Sequence, residues 1–212
     1  MMHILILCNG EPPSPELLSR YHSRTDYLIA ADGGGDIALA MGYKPDVVIG
    51  DLDSFKKDRH SSLEIIHKAD QETNDLEKAL ELALRKQGTH MSILGATGRR
   101  LDQTLKNLSV LKQFNERFEE ICLIDNYGKT QLLPHRFQQE VPVGTTLSLF
   151  PLSGKVTGIT TSGLQYTLSG GTLENGVRDG SSNKVVSNPV EIYHTAGDLL
   201  LITAHQTEEE LP

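Results

Sequence analysis

Five short runs of apolar residues mark the first 126 positions of the chain, with longer amphipathic segments between most of them. They read HILILC, YLIAAD, DVVIGD, MSILGA and EICLID, at residues 3–8, 27–32, 46–51, 91–96 and 120–125. Continuous apolar runs of this length are typical of parallel strands whose sheet is covered on both faces. The pattern therefore predicts a buried parallel sheet.

The segments between these runs carry helical patterns. Residues 14–22 begin with Ser14 at the N-cap position and Pro15 at the first helical position. Residues 74–88 end at Gly88 and place one apolar face on Leu76, Ala79, Leu80, Ala83 and Leu84. In residues 99–114 the expected buried face consists of Leu101, Leu105, Leu108 and Leu111. This alternation predicts a doubly wound α/β domain.

The pattern changes after residue 127. The segments TTLSLFPLS, KVTGITTSGLQYTL, NPVEIYH and DLLLITAHQ are short, rich in β-branched residues and separated by turn residues. Without a helical period, such segments indicate a small antiparallel sandwich or barrel. We therefore expect two domains, an α/β domain at residues 1–127 and an all-β domain at residues 128–212.

Composition narrows the possible functions. A net charge of -8 argues against a nucleic acid as the main partner, because phosphate backbones require a basic face. No apolar stretch approaches the roughly 18 residues of a membrane span, and the N-terminus lacks the features of a signal peptide. Cys8 and Cys122 lie in separate apolar runs and are expected to be buried free thiols. We expect a cytoplasmic protein without a zinc site.

Acidic residues follow most of the predicted strands. They are Asp32, Asp51, Asp53, Asp70, Asp75, Asp102 and Asp125. The carboxyl ends of parallel strands meet at one edge of a sheet, which is where open α/β sheets bind ligands. A carboxylate cluster without His or Cys suits a hard cation, and Mg²⁺ is the usual one beside phosphates. The pattern predicts a divalent ion between Asp51, Asp53 and Asp75, although any one acid alone could equally be a cap or a turn residue.

Few cations accompany these acids. Arg99 and Arg100 follow the LGATG turn at a helix start, where guanidinium and backbone N–H groups can meet phosphate. Lys78 lies three residues after Asp75, and either an ion pair with Asp75 or a ligand contact fits that spacing. The chain contains neither a P-loop motif nor a dinucleotide-binding fingerprint.

Six blocks, taken in order, resemble the thiamine pyrophosphokinase family. They read AADGGG, PDVVIGDLDS, DQETNDLEKAL, LGATGRRLDQTLKN, TSGLQYTL and GSSN, and they span residues 30–183. The resemblance implies a Mg²⁺-dependent transfer of a diphosphoryl group from ATP to the hydroxyl of thiamine. It implies that Asp51, Asp53 and Asp75 hold the metal and that Asp102 or Asp75 orients the hydroxyl, with Arg100 also catalytic. The implied ATP contacts are Asp32, Gly33, Gln71, Lys78, Thr97, Arg100 and Gln103.

The resemblance also assigns residues of the second domain to thiamine. Tyr166 would lie against the cationic thiazolium ring, and Ser162, Ser182 and Asn183 would supply hydrogen bonds. On the sequence alone, GSSN reads as a turn and Tyr166 as a core strand residue. Similar enzymes are homodimers that share each site between subunits. Arg99, Asn74 and Tyr166 depart from residues common in the family. Two alternatives are a thiamine-phosphate sensor without turnover and another Mg²⁺-dependent nucleotide phosphotransferase.

Overall fold

The computed structural model describes residues 1–55 and 63–205. The chain divides into two compact units, Met1–Asn126 and a second that begins at Tyr127. The first contains β1 (His3–Leu7), α1 (Pro15–His22), β2 (Tyr27–Ala31), α2 (Gly34–Ala40), β3 (Val47–Gly50), β4 (Glu64–His67), α3 (Asp75–Arg85), β5 (His90–Leu94), α4 (Leu101–Phe114), a short 3-10 helix (Asn115–Arg117) and β6 (Glu120–Ile124).

The strands of the first unit pair in the order β6-β5-β1-β2-β3-β4, and every pair is parallel. Leu5, Leu7 and Leu28 pack with α1 and α2 on one face, and the intervening residues Ile4 and Ile6 are also buried. Because side chains alternate across a strand, both faces of β1 are covered. The predicted doubly wound parallel sheet is confirmed. The edge strand β4 was not predicted.

The helix ends follow the expected capping rules. Ser14 Oγ accepts a 3.1 Å hydrogen bond from the backbone N–H of Leu17, and Pro15 begins α1. At α3, Asn74 and Glu77 form a reciprocal capping box, in which each side chain accepts from the other residue's backbone N–H at 3.0 Å. The expected apolar face of α3 is buried over most of its length.

The predicted buried face of α4 is wrong. Leu101 and Leu105 are 72% and 56% exposed. The helix instead buries Asn107, Val110, Leu111 and Phe114. The leucines of α4 repeat at the spacing of a buried stripe, but the helix packs on a face that is rotated toward Asn107. Of the four predicted leucines, Leu111 alone is among the buried residues of the helix.

The second unit packs two layers of four antiparallel strands against each other, which confirms the predicted antiparallel sandwich. Its strands are β7 (Gly128–Leu132), β8 (Arg136–Gln139), β9 (Thr146–Pro151), β10 (Val156–Ser162), β11 (Gly171–Leu173), β12 (Gly180–Lys184), β13 (Val190–Tyr193) and β14 (Leu199–Ala204). They pair in the orders β12-β9-β14-β7 and β11-β10-β13-β8. A single core contains side chains from both sheets, among them Leu149, Leu201, Ile159 and Ile192.

Both cysteines are buried free thiols, as expected. Burial raises the pKa of the Cys8 thiol to about 12, and the nearby Asp75 carboxylate adds to the shift. None of the helices in residues 1–55 and 63–205 combines the length and the apolar character that a bilayer crossing needs.

Candidate active site

Three carboxylates converge at the carboxyl edge of the parallel sheet. Asp32 follows β2, Asp51 follows β3, and Asp75 is the first residue of α3. One oxygen from each lies within 4.8 Å of the others. The sequence predicted a set of Asp51, Asp53 and Asp75, whereas this cluster contains Asp32 in place of Asp53. Asp53 lies beside it, with its backbone N–H donating to Asp51 Oδ1 at 3.2 Å.

Neighbouring donors hold the acids in place. Lys78 Nζ donates to Asp75 Oδ1 at 3.0 Å, so the ion pair, one of the two alternatives for this spacing, is present. The backbone N–H of Asp51 donates to the same oxygen at 3.3 Å, and Gln71 Nε2 donates to Asp51 Oδ2 at 3.3 Å. Lys78 thus compensates part of the negative charge of the three carboxylates, and a bound cation could compensate the rest.

Gly50 provides the space in which Asp32 and Asp75 approach each other. A Cβ atom at this position would lie 3.0 Å from both Asp32 Cβ and Asp75 Oδ1. A larger residue would therefore push the two carboxylates apart. The glycine of the GDLDS block has a steric role in the cluster.

The electrostatics of Asp32 fit a cation site. Burial raises the pKa of Asp32, and the charges of Asp75 and Asp53 raise it further. Hydrogen bonds from Ser54 and Gly33 act in the opposite direction. A bound divalent ion would lower the pKa of Asp32 again, because the positive charge favours the ionised carboxylate. The oxygen-only ligand set suits Mg²⁺ or another hard cation.

The acids form one wall of a cleft of about 430 Å³. Its other walls are formed by the segments that follow β1 and β5, namely Cys8, Asn9, Gly10, Gly95, Ala96, Gly98, Arg99 and Arg100. Gly10 is packed so closely that a Cβ atom there would lie 2.3 Å from the carbonyl oxygen of Gly95. Backbone therefore forms this wall without a side chain projecting from Gly10.

The two arginines of the GRR turn have different partners. Arg99 adopts a left-handed conformation (φ +50°) after Gly98 (φ +76°). Its Nη1 donates to the backbone oxygen and to Oδ1 of Asn9, at 3.1 Å each. Arg100 makes a bidentate pair with Asp102, with Nε–Oδ1 3.1 Å and Nη2–Oδ2 2.5 Å.

The Arg100–Asp102 pair lies at the exposed start of α4, with side chains 70% and 63% exposed. The Arg100 guanidinium holds the pKa of Asp102 below its usual range. The Asp102 carboxylate is therefore ionised, and both of its oxygens already accept hydrogen bonds from Arg100. Its expected role toward the thiamine hydroxyl stays a prediction.

Asn107 and Asn74 connect the cleft walls. Asn107 Nδ2 donates to the carbonyl oxygen of Ala96 at 2.7 Å, and Asn74 Nδ2 donates to Asn107 Oδ1 at 2.8 Å. The bonds join α3, α4 and the segment after β5. The sequence pattern did not single out Asn107, which lies in mid-helix, or Asn9, although Asn9 follows the first apolar run as the acids follow the others.

The remaining residues expected around ATP lie in or near the cleft. Gln103 lines it. Gly33 precedes α2, and a Cβ atom there would lie 2.4 Å from Asn9 Nδ2. Thr97 Oγ1 donates to Asp125 Oδ2 at 3.1 Å. Asp70 lies apart, with Thr73 and Glu72 as hydrogen-bond partners.

Three of the four residues expected around thiamine line two cavities of the second unit. Tyr166 and Asn183 line one of about 170 Å³, and Ser162 lines a wider one of about 720 Å³. Tyr166 is 65% exposed, so the interpretation of this residue as a core strand residue is wrong. GSSN forms part of β12, so its interpretation as a turn is also wrong.

Asn183 fixes the backbone of Tyr166. Its Oδ1 accepts from the Tyr166 N–H at 3.0 Å, and its Nδ2 donates to the Tyr166 carbonyl at 2.7 Å. Ser162 Oγ donates to Glu191 Oε2 at 2.9 Å. Ser182 has a left-handed backbone (φ +58°), and its N–H donates to Ser148 Oγ. Contacts of these four residues with a substrate stay predictions.

Two family models match the chain. The one described as "Thiamin pyrophosphokinase, catalytic domain" matches residues 18–123, and "Thiamin pyrophosphokinase, vitamin B1 binding domain" matches residues 134–199. Thiamine pyrophosphokinase 1 of Oryza sativa subsp. japonica is 31% identical over 171 residues, which cover 73% of this chain and 64% of that protein. Thiamine pyrophosphokinase of Bacillus subtilis is 26% identical over 210 residues, 95% of this chain and 98% of that one.

Solved structures share the fold. The crystal structure of thiamine pyrophosphokinase from Bacillus subtilis superposes with a TM-score of 0.82 at 24% identity, covering 97% of this chain and 100% of that chain. The structure of thiamin pyrophosphokinase from Geobacillus thermodenitrificans gives a TM-score of 0.84 at 23% identity, with coverage of 98% and 99%.

Proposed function

Because the chain belongs to the thiamin pyrophosphokinase family, we propose that it transfers a diphosphoryl group from ATP to the hydroxyl of thiamine, which yields thiamine diphosphate and AMP. The observation that carries the proposal is the cleft in which Asp32, Asp51 and Asp75 face the arginine-bearing turn after β5. Phosphoryl transfer relies on such positioning and charge neutralisation more than on covalent chemistry. We expect the protein to act in the cytoplasm.

The acids of the cleft are the proposed metal ligands. Asp51, Asp53 and Asp75 would hold Mg²⁺, with Asp32 in reach of the same ion. The bound ion would neutralise charge on the phosphates. Asp102 or Asp75 would hold the thiamine hydroxyl in line for attack. The chain's other expected ATP contacts are Gly33, Gln71, Lys78, Thr97, Arg100 and Gln103.

Thiamine would bind through the second unit. The exposed ring of Tyr166 would lie against the thiazolium cation, whose charge an aromatic face attracts. Ser162, Ser182 and Asn183 would complete the contacts by hydrogen bonding. The two hydrogen bonds of Asn183 to the Tyr166 backbone support this assignment, because they fix the backbone that carries the ring in advance of binding.

We further propose a homodimer in which each site combines residues of two copies. The exposed side chains of Leu101 and Leu105 support a second copy as the occupant of this face of α4, since the helix begins at the cleft. Apolar side chains so exposed are common at interfaces.

Product analysis tests the reaction. The purified protein is incubated with ATP, Mg²⁺ and thiamine, and nucleotides and thiamine phosphates are separated by chromatography. Equal amounts of AMP and thiamine diphosphate, lost with a chelator and in Asp51→Asn, would support the proposal. ADP with thiamine monophosphate would assign a different phosphotransferase, and thiamine binding without turnover would assign a sensor.

A further inference from the structure

Among the described residues that line the cleft, Arg99 is the cation without a carboxylate partner. Within residues 1–55 and 63–205, the basic side chains that line the cleft are those of Arg99 and Arg100. Arg100 is bound by Asp102 through two hydrogen bonds. Lys78, which lies next to the cleft acids, is bound to Asp75. In the same described ranges, Arg99 makes no ion pair, and its guanidinium contacts neutral oxygens of Asn9.

The backbone of Arg99 is unfavourable for an arginine. Its φ of +50° lies in the left-handed region, where a Cβ atom costs about 1 kcal/mol or more relative to glycine. Strain of this kind is often located at ligand-binding positions. The turn therefore carries a long cationic side chain at a position where glycine would be more stable, and the side chain lines the cleft.

We propose that Arg99 is a phosphate-binding residue, and that its guanidinium exchanges the neutral oxygens of Asn9 for oxygens of the polyphosphate chain beyond the α-phosphate. The inference rests on the proposed function for the presence of ATP. Hydrogen bonds between charged partners are about twice as strong as neutral ones, and the guanidinium fork matches a phosphate. Arg100 would first have to leave its bidentate carboxylate, whereas Arg99 gives up contacts with neutral oxygens only.

The test is equilibrium binding of ATP and of AMP, each with Mg²⁺ and without thiamine, by calorimetry. The variant is Arg99→Gly, because glycine tolerates the left-handed turn. The matched control is Arg24→Gly, an exposed arginine that precedes β2 at the opposite edge of the sheet. Arg99→Lys keeps the charge but loses the fork.

In Arg99→Gly, the Kd for ATP is expected to rise about 10-fold or more, the range of a lost charged hydrogen bond, while the Kd for AMP changes less than about 2-fold. The Kd of Arg99→Lys for ATP is expected to lie between those of the wild type and Arg99→Gly, and the Kd of Arg24→Gly is expected to equal that of the wild type. The Tm of Arg99→Gly is expected to be at least that of the wild type.

Two results would overturn the inference. Equal loss of ATP and AMP affinity would mean that Arg99 only holds Asn9 and the turn in place. An unchanged ATP affinity would mean that it does not contact the phosphates at all. If the wild type itself bound no ATP, the proposed function would fail together with this inference. Formation of thiamine diphosphate with unaltered ATP affinity in Arg99→Gly would remove the inference alone.

Discussion

Lys78 Nζ lies 3.0 Å from Asp75 Oδ1, one helical turn along α3, and its side chain is only 6% exposed. Asp75 shares this corner of the sheet with Asp32 and Asp51. The lysine is therefore a built-in countercharge for a cluster of acids that would otherwise repel one another. The same oxygen of Asp75 also accepts from the backbone N–H of Asp51.

Lys78→Met is expected to lower the free energy of unfolding by about 1–3 kcal/mol in metal-free buffer, because it leaves the acids without a paired cation. Mg²⁺ is expected to stabilise the variant more than the wild type, since a cation bound to the folded state takes over the compensation. Urea denaturation with and without Mg²⁺ measures both effects.

Lys44→Met, at an exposed position, is the control for this experiment. A Lys78→Met protein whose stability equals that of the control, or which gains no more from Mg²⁺ than the wild type does, would contradict the assigned role of the lysine.

Asn183→Ala is expected to raise the KM for thiamine and leave the KM for ATP unchanged. The substitution removes the side chain that binds both backbone groups of Tyr166. We expect a loss of about 1–3 kcal/mol in the free energy of unfolding and a looser ring. Steady-state kinetics with each substrate varied in turn, beside Tyr166→Phe as a control that keeps the ring, measures the change. Equal KM values for thiamine in Asn183→Ala and wild type would refute a positioning role.

The sequence predicted the parallel sheet well because its strands are continuous apolar runs. Strand β4 escaped because it has four residues, of which only Ile65 and Ile66 are apolar, and neither is fully buried. The buried face of α4 was mistaken because the leucine spacing has the right period, while the helix packs through Asn107 and Val110. Periodicity identifies a helix, but tertiary packing selects its buried side.

The location of the candidate site was also predictable, since the topology brings the carboxyl ends of the strands to one edge. That Asp32 and not Asp53 belongs to the central cluster could not be predicted from the sequence. Leu52 adopts a left-handed conformation and buries its side chain with Val48 and Phe55, and the carboxylate of Asp53, the next residue, is not in the cluster. Such backbone reversals at residues other than glycine leave no pattern in the sequence.

Charging the exposed face of α4 tests the proposed homodimer. The double variant Leu101→Lys and Leu105→Lys is expected to sediment as a monomer, because two charges at a contact between copies would be desolvated. Its unfolding free energy, compared at the monomer level, is expected to change little, since neither side chain belongs to the core. Leu111→Ala, at a fully buried position of the same helix, is expected to cost about 2–5 kcal/mol. A double variant that sediments like the wild type would place the interface elsewhere.

His194 is expected to make the second unit sensitive to mild acid. Its side chain is 2% exposed, its Nδ1 has no hydrogen-bond partner within residues 1–55 and 63–205, and its ring lies 4.7 Å from that of His135. Burial lowers the pKa of His194, and the neighbouring His135 lowers it further.

Since the unfolded chain then binds a proton more readily than the folded one, stability falls as the pH drops below about 6.5, by at most about 1.4 kcal/mol per pH unit. The loss continues down to the lowered pKa of the folded state. Urea denaturation between pH 7.5 and the acid limit of folding measures this slope, and His194→Gln is expected to flatten it. His135→Gln is expected to reduce the slope only in part, because burial is the larger cause of the shift. If His194→Gln kept the full slope, another group would have to be the one that titrates.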